Sequence, residues 1–411
     1  MSVAYFAIFL LVPLILGLLW LLPGVLSPAD WTARGFTIGE RLLTEGRVIW
    51  HYFYWTLVPD IGSMTLYHDA FPVSRGLFSP WTSLLAWAGI AALLAAGIFL
   101  GRRRPLVAFG LLWFLVGQTL TASFIPLELV FEHRQYLPSL GLLLVLFSLL
   151  LLSGVRLNLR RLLAGAAAAL ILLYAGSLAL RSFQWSNPIR QAVAAARTHP
   201  QSPRATYELA RMLLILSRHD PQLVQPTRRA LNHARQVPGQ GIIATAGLVL
   251  LANAEHQPLR AEWFAAMTAK LHARPPTPQD VGALDSLVQC AMRQRNPCRL
   301  PAGGMKNLFR AALAHKQPDG YVMAIHGNYL LNVLHRPRAA ARIFSALVRR
   351  APGNARYHFS LGVCLAFAGD ADGARTELAT LRRLNRNGAF DHGVRQLEGL
   401  IKRLYAEPKS S

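Results

Sequence analysis

Long apolar runs alternate with short polar segments over the first 180 residues. Five runs approach or exceed the length that a helix, rising ~1.5 Å per residue, needs to cross a hydrocarbon core of ~30 Å. They are Val3–Val25, Ser83–Leu100, Pro105–Phe124, Leu137–Ser153 and Leu162–Leu180. The first run has no basic residues before it and is too long for a signal peptide, so we expect a retained span. Residues 1–181 are therefore predicted to form a multi-pass domain of about five transmembrane helices.

Basic residues in the short connections predict the orientation, because Lys and Arg are held on the cytoplasmic side. One cluster, Arg102 to Arg104, lies between the second and third runs, and Arg156, Arg160 and Arg161 lie between the fourth and fifth. With five spans, the N-terminus is then cytoplasmic and everything after Arg181 is outside. We expect a bacterial inner-membrane protein with a periplasmic domain at residues 182–411.

A segment at about 37–57 has a helical pattern with both apolar and charged faces. Ile38, Ile49 and Phe53 fall at roughly helical spacing, and aromatic residues such as Trp50 favour the membrane interface. This pattern predicts a helix lying flat in the headgroup layer. A sixth, tilted span is the alternative, although its ionisable side chains disfavour it.

The second half has a period of 34 residues that is clearest in Tyr321–Asn354 and Ala355–Gly388. In these two repeats the small residues Ala340 and Ala374 occupy equivalent positions, and Phe344 follows four residues after the first of them. Such spacing is typical of tetratricopeptide repeats, which stack helix pairs into a solenoid. The overall prediction is an all-α chain in which a tetratricopeptide-repeat-like α-solenoid with a terminal helix at Asp391–Tyr405 follows the transmembrane helices.

Composition divides the chain in the same way. The whole sequence is 53% hydrophobic and 15% charged with a formal net charge of +23, which excludes an ordinary soluble domain and a disordered chain. Only 12 basic and 7 acidic residues precede residue 182, whereas 31 and 13 follow it. We expect the concave face of the repeats to bind a protein or peptide, with a bias toward anions. Nucleic acid is not expected outside the cytoplasm, and membrane lipid is the other predicted partner.

The most informative short motif is Phe131–Gly141, FEHRQYLPSLG, which brings several ionisable groups to a membrane surface. It resembles the E-R/H-R-x-Y-L-P-S-x-G signature of C-type-fold membrane glycosyltransferases that end in tetratricopeptide repeats, the O-mannosyltransferases of that kind and their bacterial relatives. The stretches Glu40–Arg47, Tyr67–Asp69 and Arg181–Trp185 resemble the same family.

The resemblance implies a polyprenyl-phosphate sugar as donor substrate and no cofactor. Family members carry about twice as many spans and an acidic catalytic motif in the first external loop. Here Asp30, Asp60 and Asp69 do not belong to an Asp-Asp or Asp-x-Asp motif, so no catalytic residue is assigned. We expect the chain to correspond to the C-terminal part of such enzymes, without the N-terminal catalytic part, and whether it is an enzyme stays open. The alternative is a non-catalytic membrane-anchored scaffold whose repeats recruit partners in the cell envelope.

Lipid-phosphate binding is predicted for the basic residues of the motif, because a guanidinium fork matches a phosphate. His133 and Arg134 are the first candidates, and pairing of Arg134 with Glu132 is the alternative. Further candidates for an electropositive lip are Arg41, Arg47 and Arg75, for which simple headgroup contact is the alternative. The other motif positions are Glu132, Tyr136 and Pro138.

Three cysteines occur, of which Cys290 and Cys298 are close enough in sequence to form a disulfide in an oxidising compartment. Such a loop would be stabilised by about 2 to 3 kcal/mol. Cys364 is expected to be a core residue. No set of Cys and His residues has metal-ligand spacing, so no metal site is predicted.

Overall fold

The computed structural model describes residues 8–9, 11–13, 15–17, 19, 36–60, 62, 65–69, 71–119, 121–123, 125, 127–151 and 157–405. These residues form helices and loops, with no β-strand among them. The chain divides into two compact units, Met1–Met212 and Leu213–Ser411. The boundary falls later in the chain than the change of character predicted at Arg181.

The first unit is built from helices that pack on their neighbours. α2 packs on α1 and α3, and α4 packs on α1, α3 and α5. Trp50 of α1 donates its indole N–H to the carbonyl of Ala86 in α2 at 2.9 Å. The helices of this unit are α1 Ile38–Leu57, α2 Thr82–Leu100, α3 Pro105–Gln118, α4 Tyr136–Leu151, α5 Leu157–Trp185, α6 Pro188–Thr198 and most of α7 Pro203–Leu216.

Two of the described helices are long and apolar enough to cross a membrane, Thr82–Leu100 and Arg161–Trp185. The prediction of about five spans is therefore wrong within the described part of the chain. α3 and α4 are apolar, as predicted, but they have 14 and 16 residues. Their lengths of ~21 Å and ~24 Å fall short of a ~30 Å core. The predicted span Val3–Val25 lies mostly outside the described residues.

α1 coincides with the helix predicted at about 37–57, and it begins at a capping box formed by Thr37 and Glu40. Its buried face includes charged as well as apolar residues. Arg41 and Glu45 are buried, whereas Leu42 is exposed. Because α1 packs against α2 and α4, these contacts decide which face is buried.

α3 and α4 approach closely at a pair of glycines. A Cβ added at Gly141 would clash with the carbonyl oxygen of Gly110, and one added at Gly117 would meet the ring of Pro138 at 2.8 Å. Pro138 and Gly141 both belong to the motif Phe131–Gly141. These two motif positions therefore let the segment pack tightly on α3.

The second unit is a succession of helices compatible with an α-solenoid, in which α9 packs on α11, α10 on α12 and α11 on α13. The last five helices pack in chain order, and α17 also contacts α15. The helices are α8 Val224–Ala234, α9 Ile243–Ala254, α10 Ala261–Ala273, α11 Pro278–Ala291, α12 Ala302–Leu313, α13 Gly320–Asn332, α14 Pro337–Arg350, α15 Ala355–Ala368, α16 Ala371–Leu384 and α17 Asp391–Tyr405.

Each of the two clearest sequence repeats forms one pair of helices, α13 with α14 and α15 with α16. The equivalent positions Ala340 and Ala374 are fully buried between helices, and Phe344 is buried beside the first of them. α15 ends at Gly369, whose φ of 90° is a left-handed conformation that favours glycine. Cys364 lies in the same core and is fully buried.

Cys290 and Cys298 form a disulfide bond. Cys290 is near the end of α11, and the backbone N–H of Cys298 also donates to the carbonyl of Cys290 at 3.0 Å. The loop is thus closed by a covalent bond and a hydrogen bond. It lies far in sequence from the motif Phe131–Gly141.

Candidate functional site

The motif Phe131–Gly141 is held in place by side chains from two other parts of the first unit. Residues Glu132–Gln135 form a 3-10 turn that leads directly into α4. The Tyr52 hydroxyl accepts a hydrogen bond from the Phe131 N–H at 2.7 Å and donates to the Phe131 carbonyl at 3.2 Å. Gln118 and Gln135 exchange amide hydrogen bonds at 3.1 and 3.2 Å. The start of the motif is therefore a constrained segment.

A cavity of about 640 Å³ lies beside this segment. Its wall comes from the end of α1, the loop after it, the 3-10 turn, α4 and α5, and it is mainly aromatic and apolar. The lining residues are Trp55, Thr56, Pro59, Thr65, Leu66, Phe131, Glu132, His133, Gln135, Tyr136, Ser139, Leu143, Tyr174 and Trp185. A concave, largely apolar wall with a few polar groups is typical of small-molecule binding sites.

Glu132 is the acidic group on this wall, and it lies between a cation and a histidine. Its Oε2 accepts a hydrogen bond from the Arg181 guanidinium at 2.7 Å. Its Oε1 lies 3.7 Å from His68 Nε2, and neither atom has a hydrogen-bond partner among the described residues. Buried polar atoms usually have such partners. The two atoms therefore form a buried polar pair next to the cavity whose hydrogen-bonding capacity is not satisfied among the described residues.

The rings of His199 and His68 are neighbours, with their centres 6.5 Å apart. Burial and the neighbouring His68 both lower the pKa of His199, so its neutral form is favoured. Asp69 accepts a hydrogen bond from the Ser202 hydroxyl at 2.6 Å, which joins the same loop to the start of α7. The histidines are thus positioned by contacts within the first unit.

The other predicted motif residues have different environments. His133 is exposed and lines the cavity, with its ring 4.5 Å from that of Phe131. Tyr136 also lines the cavity and is 83% exposed. Pro138 is buried and packs on Gly117 of α3. His133 and Tyr136 can therefore contact a ligand directly, whereas Pro138 supports the helix pair.

Arg134 points away from the cavity. Its guanidinium donates a hydrogen bond to the backbone carbonyl of Glu128 and lies 5.7 Å from the centre of the Phe131 ring. Burial raises the pKa of Glu45 to about 7 and also raises the pKa of Tyr52. The charge of Arg134 partly offsets both increases. Arg134 does not pair with Glu132, whose cation partner is Arg181.

Arg41, one of the predicted lip residues, is fully buried. It donates hydrogen bonds to the carbonyls of Ser123 at 2.9 Å, Thr121 at 2.9 Å and Leu127 at 2.5 Å, and it pairs with Glu45 at 2.6 Å. A phosphate could reach this guanidinium only if the loop released it. In the structure, Arg41 supports the loop that precedes the motif.

The other two predicted lip residues also contact protein groups. Arg47 donates to the carbonyl of Pro72 at 2.8 Å and lies 5.3 Å from the centre of the Phe71 ring. Arg75 is exposed and pairs with Glu40 at 2.8 Å. Neither residue lines the cavity. The four predicted arginines and His133 therefore do not form one cluster.

Sequence reasoning did not assign a site role to His68, Tyr174, Arg181 or Trp185, which line the cavity or contact its carboxylate. Two signals for them existed, because Tyr67–Asp69 and Arg181–Trp185 both resemble the family in which the motif occurs. The pairing of Arg181 with Glu132 is between residues far apart in sequence, so spacing alone could not reveal it.

Within the described part of the chain, no group of three or more His, Cys, Asp or Glu residues could hold a metal ion. No protein-family model matches the sequence, and no curated protein matches it. The site must therefore be interpreted from its own geometry.

Proposed function

We propose that this chain is an integral membrane protein that binds a polyprenyl-phosphate sugar in the cavity beside Glu132, and that it is related to the glycosyltransferases that use such donors. The observation that supports the proposal is the cavity itself. A mainly apolar wall suits an isoprenoid chain, and polar groups at Glu132 and His133 suit the phosphosugar end.

The aromatic residues of the wall support a location near the membrane interface. Trp185 and Tyr174 belong to the helix Arg161–Trp185, which is long and apolar enough to cross a membrane. Trp185 is the last residue of this helix, and Trp side chains favour the level of the headgroups, whereas Tyr174 lies ~16 Å further along the helix axis. A lipid phosphate at that level would be within reach of His133, which is exposed at the cavity.

The proposal includes the orientation drawn from the basic residues. Arg102 to Arg104 follow the span Thr82–Leu100, and Arg161 begins the span Arg161–Trp185, so these two helix ends are cytoplasmic and the second unit is a periplasmic domain with tetratricopeptide-like repeats. A cytoplasmic N-terminus then requires one further span before Thr82. An alkaline phosphatase fusion placed after Arg181 is expected to be active, and one placed after Gly154 is expected to be inactive. An inactive phosphatase in the fusion after Arg181 would contradict both the proposed orientation and the periplasmic location of the second unit.

The lipid assignment is tested with the full chain in nanodiscs and a fluorescent polyprenyl phosphate as probe. Leu143 is half-buried and lines the cavity, so Leu143→Trp fills part of the space. We expect at least about tenfold weaker binding, which corresponds to ~1.4 kcal/mol. His133→Ala is expected to weaken binding of the phosphate but not of the matching polyprenol.

The matched control is Leu140→Trp, because Leu140 lies on the same helix, is exposed and does not line the cavity. It should bind the probe like the original chain. Equal binding by Leu143→Trp and Leu140→Trp would refute the assignment. Any sugar transfer that depends on the lipid phosphate is expected to be lost in Arg134→Ala, because the bond from Arg134 to the Glu128 carbonyl holds the motif in place, while the protein is still expressed.

The second candidate function is a scaffold that recruits a protein through the repeats. A groove of about 1160 Å³ favours it, because amide and tyrosine side chains that can bond to a peptide backbone line this groove. They include Tyr321, Asn328, Tyr357 and Asn385. The scaffold function would be favoured over lipid binding if the chain did not bind polyprenyl phosphate and if the Asn328→Ala variant no longer bound a protein partner that the original chain binds.

A further inference from the structure

A separate cavity of about 1000 Å³ lies in the second unit, beside the Cys290–Cys298 disulfide. Residues from the end of α9, the loop after it, the start of α10 and the disulfide loop form its wall. It shares no residue with the cavity beside Glu132 or with the groove that contains Tyr321.

Positive charge converges on this cavity from two separate segments, the disulfide loop and the loop after α7. Arg218, Arg293 and Arg299 line it, together with His256, and no Asp or Glu is among its lining residues. The three arginine side chains are exposed. Within the described residues, none of them forms an ion pair.

Some exposed arginines of the same unit are neutralised by nearby carboxylates, whereas others, such as Arg338 and Arg342, form no ion pair among the described residues. Arg375 pairs with Asp372 at 3.0 Å, and Arg382 pairs with Glu398 at 2.8 Å. The cavity therefore differs from the surface around Arg375 and Arg382 in having uncompensated positive charge. Clefts lined by one sign of charge concentrate ligands of the opposite sign.

The positions of these cations are constrained before any ligand binds. Arg293 belongs to the loop closed by the disulfide, and Arg299 follows the second cysteine directly. The backbone N–H of Arg299 donates a hydrogen bond to the side-chain oxygen of Asn253 at 2.9 Å, which connects the loop to the end of α9. A pre-organised site loses less conformational entropy on binding.

The surface between the cations combines apolar side chains with the amide side chains of Asn253, Gln257 and Asn296. Leu250, Leu259 and Pro301 line it, and the aromatic ring on the wall, Phe264, is only 5% exposed. A glycan would lack an exposed ring on which to stack. A polypeptide with alternating carboxylate and apolar side chains would match both the guanidinium groups and the surface between them.

We propose that the cavity beside the disulfide binds an acidic peptide segment of a partner protein, with its carboxylates on Arg218, Arg293 and Arg299. The assignment does not rest on the lipid proposal, because the residues belong to different units. The disulfide loop serves as a rigid support for two of the three cations.

The test uses the full chain in nanodiscs of neutral phosphatidylcholine and a fluorescein-labelled hexapeptide of alternating glutamate and leucine, followed by fluorescence anisotropy. Binding is expected, and it should weaken as salt rises from low to physiological concentration. The triple variant R218Q/R293Q/R299Q is expected to bind at least about tenfold more weakly, the combined effect of three exposed charge contacts.

A matched triple variant, R338Q/R342Q/R349Q, removes the same charge from exposed positions of α14 that do not line the cavity. It should keep the affinity within about twofold, and circular dichroism should show that both variants remain helical. Equal losses in the two variants would mean unspecific charge attraction and overturn the proposal. It would also be overturned if the peptide failed to bind while oligogalacturonate or phosphatidylglycerol vesicles bound through the same three arginines.

Discussion

The two units of this chain bury different kinds of side chain. In Met1–Met212, the side chain of Arg41 is among the largest that are fully buried. The polar residues Thr44, Glu45 and Gln118 of this unit are buried as well. In Leu213–Ser411, the largest fully buried side chains are those of Phe309 and Phe344, within cores built from leucine and alanine. The first unit thus buries a cation in addition to aromatic side chains such as that of Phe114, whereas the charged residue buried among the described residues of the second unit is the carboxylate of Asp280.

The difference follows from the backbone that each unit must bury. The loop before the motif is irregular, and its buried carbonyl groups need hydrogen-bond donors in place of water. Arg41 supplies donors to three of them. Stacked helices satisfy their own backbone groups, so their cores require only apolar volume and close packing. A buried polar residue is therefore a consequence of loop structure here and need not indicate a binding role.

Loss of Arg41 is expected to have the largest effect. Arg41→Leu removes the partner of Glu45 and leaves three carbonyl groups without their donor, which should lower the free energy of unfolding of the first unit by about 5 kcal/mol. Denaturation in detergent micelles, followed by tryptophan fluorescence, measures the loss. Arg75→Leu is the control, because the Arg75–Glu40 pair is partly exposed and should contribute at most about 1 kcal/mol. Similar small losses in both variants would show that the loop does not depend on the buried cation.

Truncation of Phe344 is expected to have a slightly smaller effect. Phe344→Ala leaves a cavity next to Ala340 and Gly327, and it should lower the free energy of unfolding of the second unit by about 4 kcal/mol. Phe367→Ala provides the comparison, because Phe367 is 53% exposed on α15 and fills no core. Thermal denaturation followed by circular dichroism should separate the two variants clearly. If both lost the same stability, the apolar core would not be what holds these helices together.

A change of pH should have the smallest effect, and it should act through His326. Its ring stacks on Phe309 with the centres 4.5 Å apart, and its Nδ1 is buried without a hydrogen-bond partner among the described residues. Burial lowers the pKa of His326, so the folded state favours the neutral ring. Below the ordinary value of 6.5, the unfolded chain takes up the proton more readily, and the second unit loses stability as the pH falls. His326→Phe should reduce the difference in melting temperature between pH 7 and pH 5, and an unchanged difference would exclude this histidine as the cause.

The sequence located the candidate site but not its internal arrangement. Motif spacing brought Glu132, His133 and Tyr136 to attention, and all three line the cavity. It could not show that Arg134 would turn toward the Glu128 carbonyl while Arg181 paired with Glu132. Side-chain direction in a non-helical segment depends on partners from other elements, and these are invisible in a local pattern.

The amino-acid pattern by itself determined the helical nature of the chain, the helix pairs of the two clearest repeats and the burial of Ala340 and Ala374. Helical periodicity is a local property, and small residues at inter-helix positions have few alternatives to burial. Only the tertiary structure decided how long the apolar helices are, since α3 ends at Gln118 within a run that continues to Phe124. It also decided that Arg41 supports a loop, because the carbonyl groups that bind it lie about 80 residues further along the chain.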